Sequence, residues 1–169
     1  MSEFKEISVP ELKFNAFTMI NKDWMLVTAG DKEKCNTMTA SWGALGELWS
    51  KYVSVIFIRP QRYTLEFIEK EKYYSLCFFD ESKRDVLNYC GSHSGRDGDK
   101  IKAAGLTPVY GEAAPYFKEA KLVFICRKLY GQKFDPACFI DKTIDAQCYG
   151  SKDYHKEFIG GIEKILIRE

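Results

Sequence analysis

The sequence is poor in the features that mark membrane, secreted and metal-binding proteins. It has no run of about 18 apolar residues, and its first stretch, MSEFKEISVPELKF, is charged, so neither a spanning helix nor a signal peptide is expected. The six cysteines are irregularly spaced without a C-x-x-C pair, and the only histidines are His93 and His155. We therefore expect a soluble cytoplasmic protein without a disulfide framework or a metal site.

The sequence also lacks an excess of charge of one sign and the common nucleotide-binding and hydrolase motifs. The 25 basic and 24 acidic side chains leave a net charge of +1, which gives no general attraction to nucleic acid or to an anionic membrane. The motifs G-x-G-x-x-G, G-x-x-x-x-G-K-[ST], G-x-S-x-G and H-E-x-x-H do not occur. An oxidoreductase without a Rossmann unit must hold a nicotinamide in another way or receive electrons from a protein.

Apolar strand-like runs are abundant in the 169 residues, which we expect to form one domain (1–169). The pattern predicts at least six strands, at 24–30, 35–42, 52–58, 73–79, 121–130 and 157–167. It predicts short helices near 63–72 and 82–91 and gives no assignment for 131–153. Because the strands do not alternate with helices, we expect a mainly β, closed or half-closed antiparallel barrel with peripheral helices. A homodimer would cover its remaining edge.

The stretch CNTMTASWG, residues 35–43, is unusually polar for a strand. Side-chain alternation places Thr37, Thr39 and Ser41 on one face, and the opposite face receives Asn36, Met38, Ala40 and Trp42. The hydroxyl groups of Thr37, Thr39 and Ser41, which we call the hydroxyl row, form either a ligand surface or a solvated strand face. Trp42 is either a core or interface residue or a stacking platform for a flat ring. We interpret the neighbouring Cys35 as a packing residue.

Two further polar clusters, RPQRYT (59–64) and SHSGRDGDK (92–100), stand at the ends of predicted elements. Arg59 or Arg62 can hold a phosphate by a two-pronged hydrogen bond, with the start of a helix and the Thr64 hydroxyl beside it. In the alternative interpretation, Arg62 is a surface charge and Thr64 only caps the helix. Together the clusters suit a ligand with a phosphate at one end and a flat heteroaromatic ring at the other.

The motifs NTMTASWG, IRPQRYT and CGSHSGRDGDK followed by GLTP, with YH before the final strand, closely resemble those of the flavin reductase-like proteins. This family has the FMN-binding split-barrel fold, of Greek-key type with about six strands, and it includes the flavoredoxins. The resemblance extends from about residue 10 to residue 167. It implies a flavoprotein with FMN as cofactor, but it does not require Cys35.

The resemblance implies a set of cofactor-binding residues: Asn36, Thr37, Met38, Thr39, Ala40, Ser41, Trp42, Arg59, Arg62, Tyr63, Thr64, Lys100, His155 and Phe158. No side chain is expected to be catalytic, because the flavin carries the chemistry. The predicted function is NAD(P)H-dependent flavin reduction, with Arg96 receiving the nicotinamide nucleotide or docking a redox protein. The alternatives are a flavoredoxin-like electron carrier that a protein reduces and a flavin-binding module without turnover.

Overall fold

The structure, a computed structural model, describes residues 4–169 and is mainly β. The strands are β1 (Phe4–Ile7), β2 (Met25–Gly30), β3 (Cys35–Ala40), β4 (Gly43–Leu48), β5 (Lys51–Ile58), β6 (Tyr73–Phe78), β7 (Pro108–Val109), β8 (Tyr116–Phe117), β9 (Leu122–Lys133) and β10 (Lys156–Arg168). The α-helices are α1 (Ala16–Thr18), α2 (Thr64–Lys70), α3 (Arg84–Ser92), α4 (Lys100–Ala103) and α5 (Lys142–Cys148). A π-helical segment covers Met19–Asp23, and 3-10 turns cover Val9–Glu11, Glu81–Lys83 and Pro136–Cys138.

The main sheet is antiparallel and has the order β3-β2-β6-β9-β10-β5-β4, with β1 added beside β10. If this seven-strand path were flat, its end strands would be about 29 Å apart, from a spacing of about 4.8 Å between neighbouring strands. Yet only Ser41 and Trp42 connect β3 to β4, and such a linker reaches about 11 Å at most. The sheet must therefore curl until its ends meet, which confirms the expected half-closed barrel.

The sequence predicted at least six strands, and the described residues form ten. The strands that the sequence missed, β1, β4, β7 and β8, have between two and six residues each. β4 has the sequence GALGEL and is mostly exposed, so it lacks the apolar, β-branched run that marked the other strands.

Alternate residues of the central strands supply two separate apolar clusters. Val27, Leu76 and Phe124 belong to one cluster, whereas their neighbours Leu26 and Cys77 belong to the other. The first cluster also receives side chains from β3, β5, β10 and α2, and the second from α3, α4 and β8. Burial on both faces explains why these strands are nearly continuous apolar runs.

β10 is interrupted at Gly160-Gly161, since the register between β10 and β9 shifts between Ile159 and Gly160. A Cβ atom on Gly160 would lie 2.3 Å from the hydroxyl oxygen of Tyr74, so the strand needs glycine for this close approach. The Tyr74 hydroxyl is buried and lies 2.7 Å from Ser54 Oγ.

Within residues 4–169, no helix has both the length and the apolar character needed to cross a membrane.

Candidate functional site

The ends of β3 and β5 meet around a small polar cleft of about 170 Å³, which we call the arginine cleft. β5 stops at Ile58 because Pro60 follows Arg59, and proline cannot continue the ladder. The cleft is lined by Met38, Thr39, Ala40, Ser41, Trp42, Phe57, Arg59, Arg62 and His155. The structure thus brings eight of the predicted site residues together and adds Phe57.

Trp42 stands at the junction between β3 and β4 and is 49% exposed, so it is not a core residue. Its ring centroid lies 5.3 Å from that of His155 at an interplanar angle of 45°. The same side chain also borders a second, larger cavity of about 740 Å³ on the side of β4 and α5. A large flat surface is therefore available between the two spaces.

The three candidate arginines differ in their partners. Arg59 donates to Asp153 Oδ2 at 2.6 Å and to the Cys148 carbonyl at 3.0 Å. Arg96 forms an ion pair with Glu66 on the surface. Arg62 is half-buried and donates to the Gly91 carbonyl at 2.6 Å, but no carboxylate of the described residues lies within ion-pair distance of it. Of the three, Arg62 keeps its charge available for an anion.

His155 lines the cleft and is hydrogen-bonded to a tyrosine that the sequence did not single out. The Tyr149 hydroxyl lies 2.8 Å from His155 Nδ1, and both residues are buried. Burial, with the nearby Arg59 as the next cause, lowers the pKa of His155 to about 4. The imidazole is therefore neutral at pH 7, and the positive charge of the cleft belongs to its arginines.

Three more of the predicted residues, Asn36, Tyr63 and Lys100, line a separate cavity of about 750 Å³. Asn36 Nδ2 donates to Thr64 Oγ1 at 2.8 Å, and both residues are buried. Thr64 is the first residue of α2 and not its cap, because Tyr63 holds the cap position. Its hydroxyl instead ties the helix to β3.

Lys100 is almost completely buried, and its ammonium group donates to two backbone carbonyls. The acceptors are Cys90 at 3.2 Å and His93 at 3.0 Å, and burial lowers the pKa of the lysine. Arg96 lies near the same region, with its guanidinium 4.6 Å from the centre of the Tyr63 ring. Both cations are thus already engaged by the protein.

Thr37 and Phe158 lie away from these cavities. Thr37 is fully buried, and its hydroxyl pairs with that of Thr28 at 2.8 Å and donates to the Val27 carbonyl. Phe158 belongs to the apolar cluster of the barrel. The hydroxyl row is also less free than the alternation indicated, because Thr39 donates to the Leu87 carbonyl. Internal hydrogen bonds therefore occupy two of its three members.

The sequence missed the contribution of residues 131–153 to the site. Phe134, Phe139 and Tyr149 from this segment pack on one another beside His155. Asp153 fixes Arg59, and α5 carries Cys148, whose carbonyl accepts from the same arginine. The sequence offered two local signals for helical turns in this segment, Asp135 and Asp141, because aspartate is a preferred N-cap residue. In the structure each accepts a hydrogen bond from the backbone N–H two residues later.

Cys35 is buried, with its sulfur 3.6 Å from the Tyr110 hydroxyl. Burial raises the pKa of its thiol, so the reactive thiolate is disfavoured. This agrees with the packing role expected from the sequence.

Comparison with protein families gives one match, to the flavin reductase like domain over residues 19–148. No curated protein matches the chain.

Several solved structures have the same fold. An FMN-binding domain of a flavin reductase-like enzyme from Shewanella baltica is 16% identical, with a TM-score of 0.70 over 98% of this chain and 78% of that one. Flavoredoxin from Methanosarcina acetivorans is 23% identical, with a TM-score of 0.67 over 92% and 74%. An NADH:FAD oxidoreductase from Streptomyces globisporus is 16% identical, with a TM-score of 0.65 over 87% and 77%. These similarities identify the fold as the split barrel.

Proposed function

The chain belongs to the family of flavin reductase like domains, and from this membership we propose that it is an FMN-binding oxidoreductase whose flavin is reduced by NAD(P)H. The similar structures include both a flavoredoxin and an NADH:FAD oxidoreductase, and the second of these supports the choice of a nicotinamide nucleotide as the donor. The observation that carries the proposal is the arginine cleft, where an unpaired Arg62 and an exposed Trp42 share one space.

The residues of the cleft fit FMN. A phosphate needs a cation whose charge is not already neutralised, and Arg62 meets that requirement because, within residues 4–169, its side chain donates to the Gly91 carbonyl and to no carboxylate. A heteroaromatic ring needs a flat apolar surface, which the half-exposed Trp42 supplies. The end of β3 at Ala40 leaves the backbone groups of Ser41 and Trp42 outside that strand. We therefore assign the phosphate to Arg62 and the ring to the neighbourhood of Trp42.

Bound FMN would supply the capacity to take up and release electrons. The protein's own contribution is position and electrostatics. Asp153 fixes the Arg59 guanidinium at the edge of the cleft and offsets its charge, so Arg62 supplies the positive charge that would face a negative charge forming there. His155 stays neutral at pH 7 and acts as a fixed aromatic wall.

We keep Arg96 as the proposed contact for the nicotinamide nucleotide or for a redox protein. Its ion pair with Glu66 is on the surface, where such pairs typically contribute about 0–1 kcal/mol. A pyrophosphate or an acidic protein surface can therefore displace Glu66 at low cost.

Stopped-flow absorbance separates the alternatives. FMN-loaded protein is mixed anaerobically with NADH or NADPH, and we expect the flavin absorbance to bleach within seconds, more slowly in Arg96→Ala with FMN still bound. If neither nucleotide bleaches the flavin but a reduced ferredoxin does, the protein is an electron carrier. Binding of FMN without reduction by any donor indicates a module without turnover.

We also propose that the protein is a homodimer with the flavin near its interface. β4 is an end strand of the sheet, and its turn into β5 exposes Leu48, Trp49 and Tyr52, with Tyr130 nearby. A second copy would cover both this apolar surface and the strand edge. Sedimentation velocity should show a dimer, and Trp49→Asp should dissociate it because the substitution places a charge on the apolar surface. Aspartate is chosen because it tolerates the positive φ of 55° at this position. A wild-type monomer with FMN bound would contradict the proposal.

A further inference from the structure

Tyr149 is held beside the arginine cleft with its hydroxyl on His155. The hydroxyl lies 2.8 Å from His155 Nδ1, and the two rings meet edge to face with centroids 5.6 Å apart. Tyr149 follows the last residue of α5 and is only 2% exposed. The Arg59 guanidinium lies 5.3 Å from the centre of its ring, and the centre of the Phe139 ring lies 5.7 Å from it. This packing fixes the hydroxyl at the imidazole.

The direction of this hydrogen bond follows from the donors and acceptors that are present. A neutral imidazole has one N–H donor and one acceptor nitrogen, and His155 is neutral at pH 7. Burial raises the pKa of the Tyr149 hydroxyl, which therefore keeps its proton. Among the described residues this hydroxyl has no acceptor other than Nδ1, and a buried hydroxyl whose proton is unpaired is costly. Tyr149 therefore donates to Nδ1, and the proton of His155 is on Nε2.

The Nε2 atom of His155 is accessible from the arginine cleft. Within residues 4–169 this nitrogen has no hydrogen-bond partner, yet no buried side-chain nitrogen or oxygen in that range lacks one. Nε2 is therefore open to solvent, and the space that His155 lines is the cleft, where its ring centroid is 5.3 Å from that of Trp42. A neutral N–H donor is thus available in the space that we assign to the flavin ring.

We propose that Tyr149 is a positioning residue, which acts on the bound flavin through His155 by keeping the imidazole proton on Nε2. The inference rests on the proposed function, because FMN is the ligand that receives this donor, and it adds a residue outside the set predicted from the sequence. A donor fixed beside the ring stabilises negative charge on it more than it stabilises the uncharged ring, so it favours the reduced cofactor. Without the Tyr149 hydroxyl the proton can occupy either nitrogen, and molecules with the proton on Nδ1 lack the donor.

The tautomer is measured directly by NMR on the full chain with 15N-labelled histidine, at pH 7 and without FMN. His93→Gln assigns the signals, since the chain has two histidines. We expect His155 to carry its proton on Nε2 alone, and Tyr149→Phe to give a mixture of the two tautomers. Tyr154→Phe is the matched control and should leave the tautomer unchanged, because its ring lies 5.0 Å from that of Tyr149 but its hydroxyl donates to Asp145.

A second measurement tests the link to the cofactor. Tyr149→Phe should lower the ratio of reduced to oxidised FMN affinity at least about twofold, because about half of the molecules must change tautomer before they offer the donor. This change is measured as a lower midpoint potential of the bound flavin. In a His155→Gln background, Tyr149→Phe should leave the ratio unchanged.

Any of three results would overturn the role of Tyr149. The first is a wild-type His155 with its proton on Nδ1. The second is a tautomer in Tyr149→Phe that changes no more than in Tyr154→Phe, and the third is an equal change in the affinity ratio with and without His155. A failure of FMN to bind contradicts the proposed function alone, because the NMR measurement needs no cofactor.

Discussion

Replacing Arg62 by alanine tests whether this arginine anchors the phosphate of FMN. The guanidinium is half-buried and has one backbone acceptor, so a bound phosphate would become its main anionic partner. A hydrogen bond to a charged group contributes about 1.5–3 kcal/mol, which corresponds to a loss of roughly 10- to 150-fold in FMN affinity. Arg62→Lys keeps the positive charge but loses the two-pronged guanidinium, so the loss of FMN affinity should be smaller than in Arg62→Ala.

The assay compares FMN with riboflavin, which has the same ring and ribityl chain but no phosphate. Quenching of flavin fluorescence gives both dissociation constants. Arg62→Ala should weaken FMN binding by the factor above and leave riboflavin binding nearly unchanged. Added salt should reduce the difference between the two flavins in the wild type, because it screens the phosphate.

Two outcomes would refute the assignment of the phosphate to Arg62. If FMN and riboflavin lose affinity equally, the arginine acts by holding the Gly91 carbonyl, which shapes the cleft. If instead Arg96→Ala causes the loss specific to FMN, the phosphate lies on the Tyr63 side of β3. Thermal melts of each variant establish that the compared proteins are folded.

Two further predictions concern stability. The depressed pKa of His155, about 4, means that the unfolded chain binds more protons than the folded one between about pH 4 and pH 6.5, so stability falls as the pH drops through this window. Urea unfolding should show about 1.5 kcal/mol less stability at pH 5 than at pH 6.5 from this group, and His155→Gln should remove that difference while His93→Gln keeps it. Gly160→Ala places a Cβ atom 2.3 Å from the Tyr74 hydroxyl and should cost more than about 2 kcal/mol, whereas Gly46→Ala, with no atom within 4 Å, should cost little.

An unchanged pH dependence in His155→Gln would show that other groups control acid stability. A Gly160→Ala protein as stable as the wild type would mean that Tyr74 moves aside at no cost.

The strands that were predictable from the sequence are those buried on both faces. β6 is a continuous apolar run because alternate residues pack into the two clusters, and the predicted boundaries of β5 and β6 were correct to within one residue. β4 could not be predicted, because it is stabilised by pairing with β5 and not by burial of its own side chains. Its glycine-containing, exposed sequence carries no strand signal.

The site was predictable where its residues are consecutive and not where distant segments meet. Trp42 and Arg62 were identified from motifs of fewer than ten residues. The contact between Arg59 and Asp153 joins positions that are 94 residues apart, and the packing of Phe134 against Tyr149 depends on how residues 131–153 return to the barrel. No local pattern encodes such a return.

The central place of β10 has a consequence for how the protein becomes functional during its synthesis. This strand pairs with β1, β5 and β9, and yet it follows all of them in the chain. A ribosome-bound chain that stops before residue 156 lacks the strand that joins its two halves, so the cleft cannot close and His155 has no place to dock. The pairing of β10 with strands far from it in the sequence gives a high contact order, which predicts that the barrel closes slowly and late in folding. The flavin would therefore be captured only after β10 has left the ribosome, as the final step of folding.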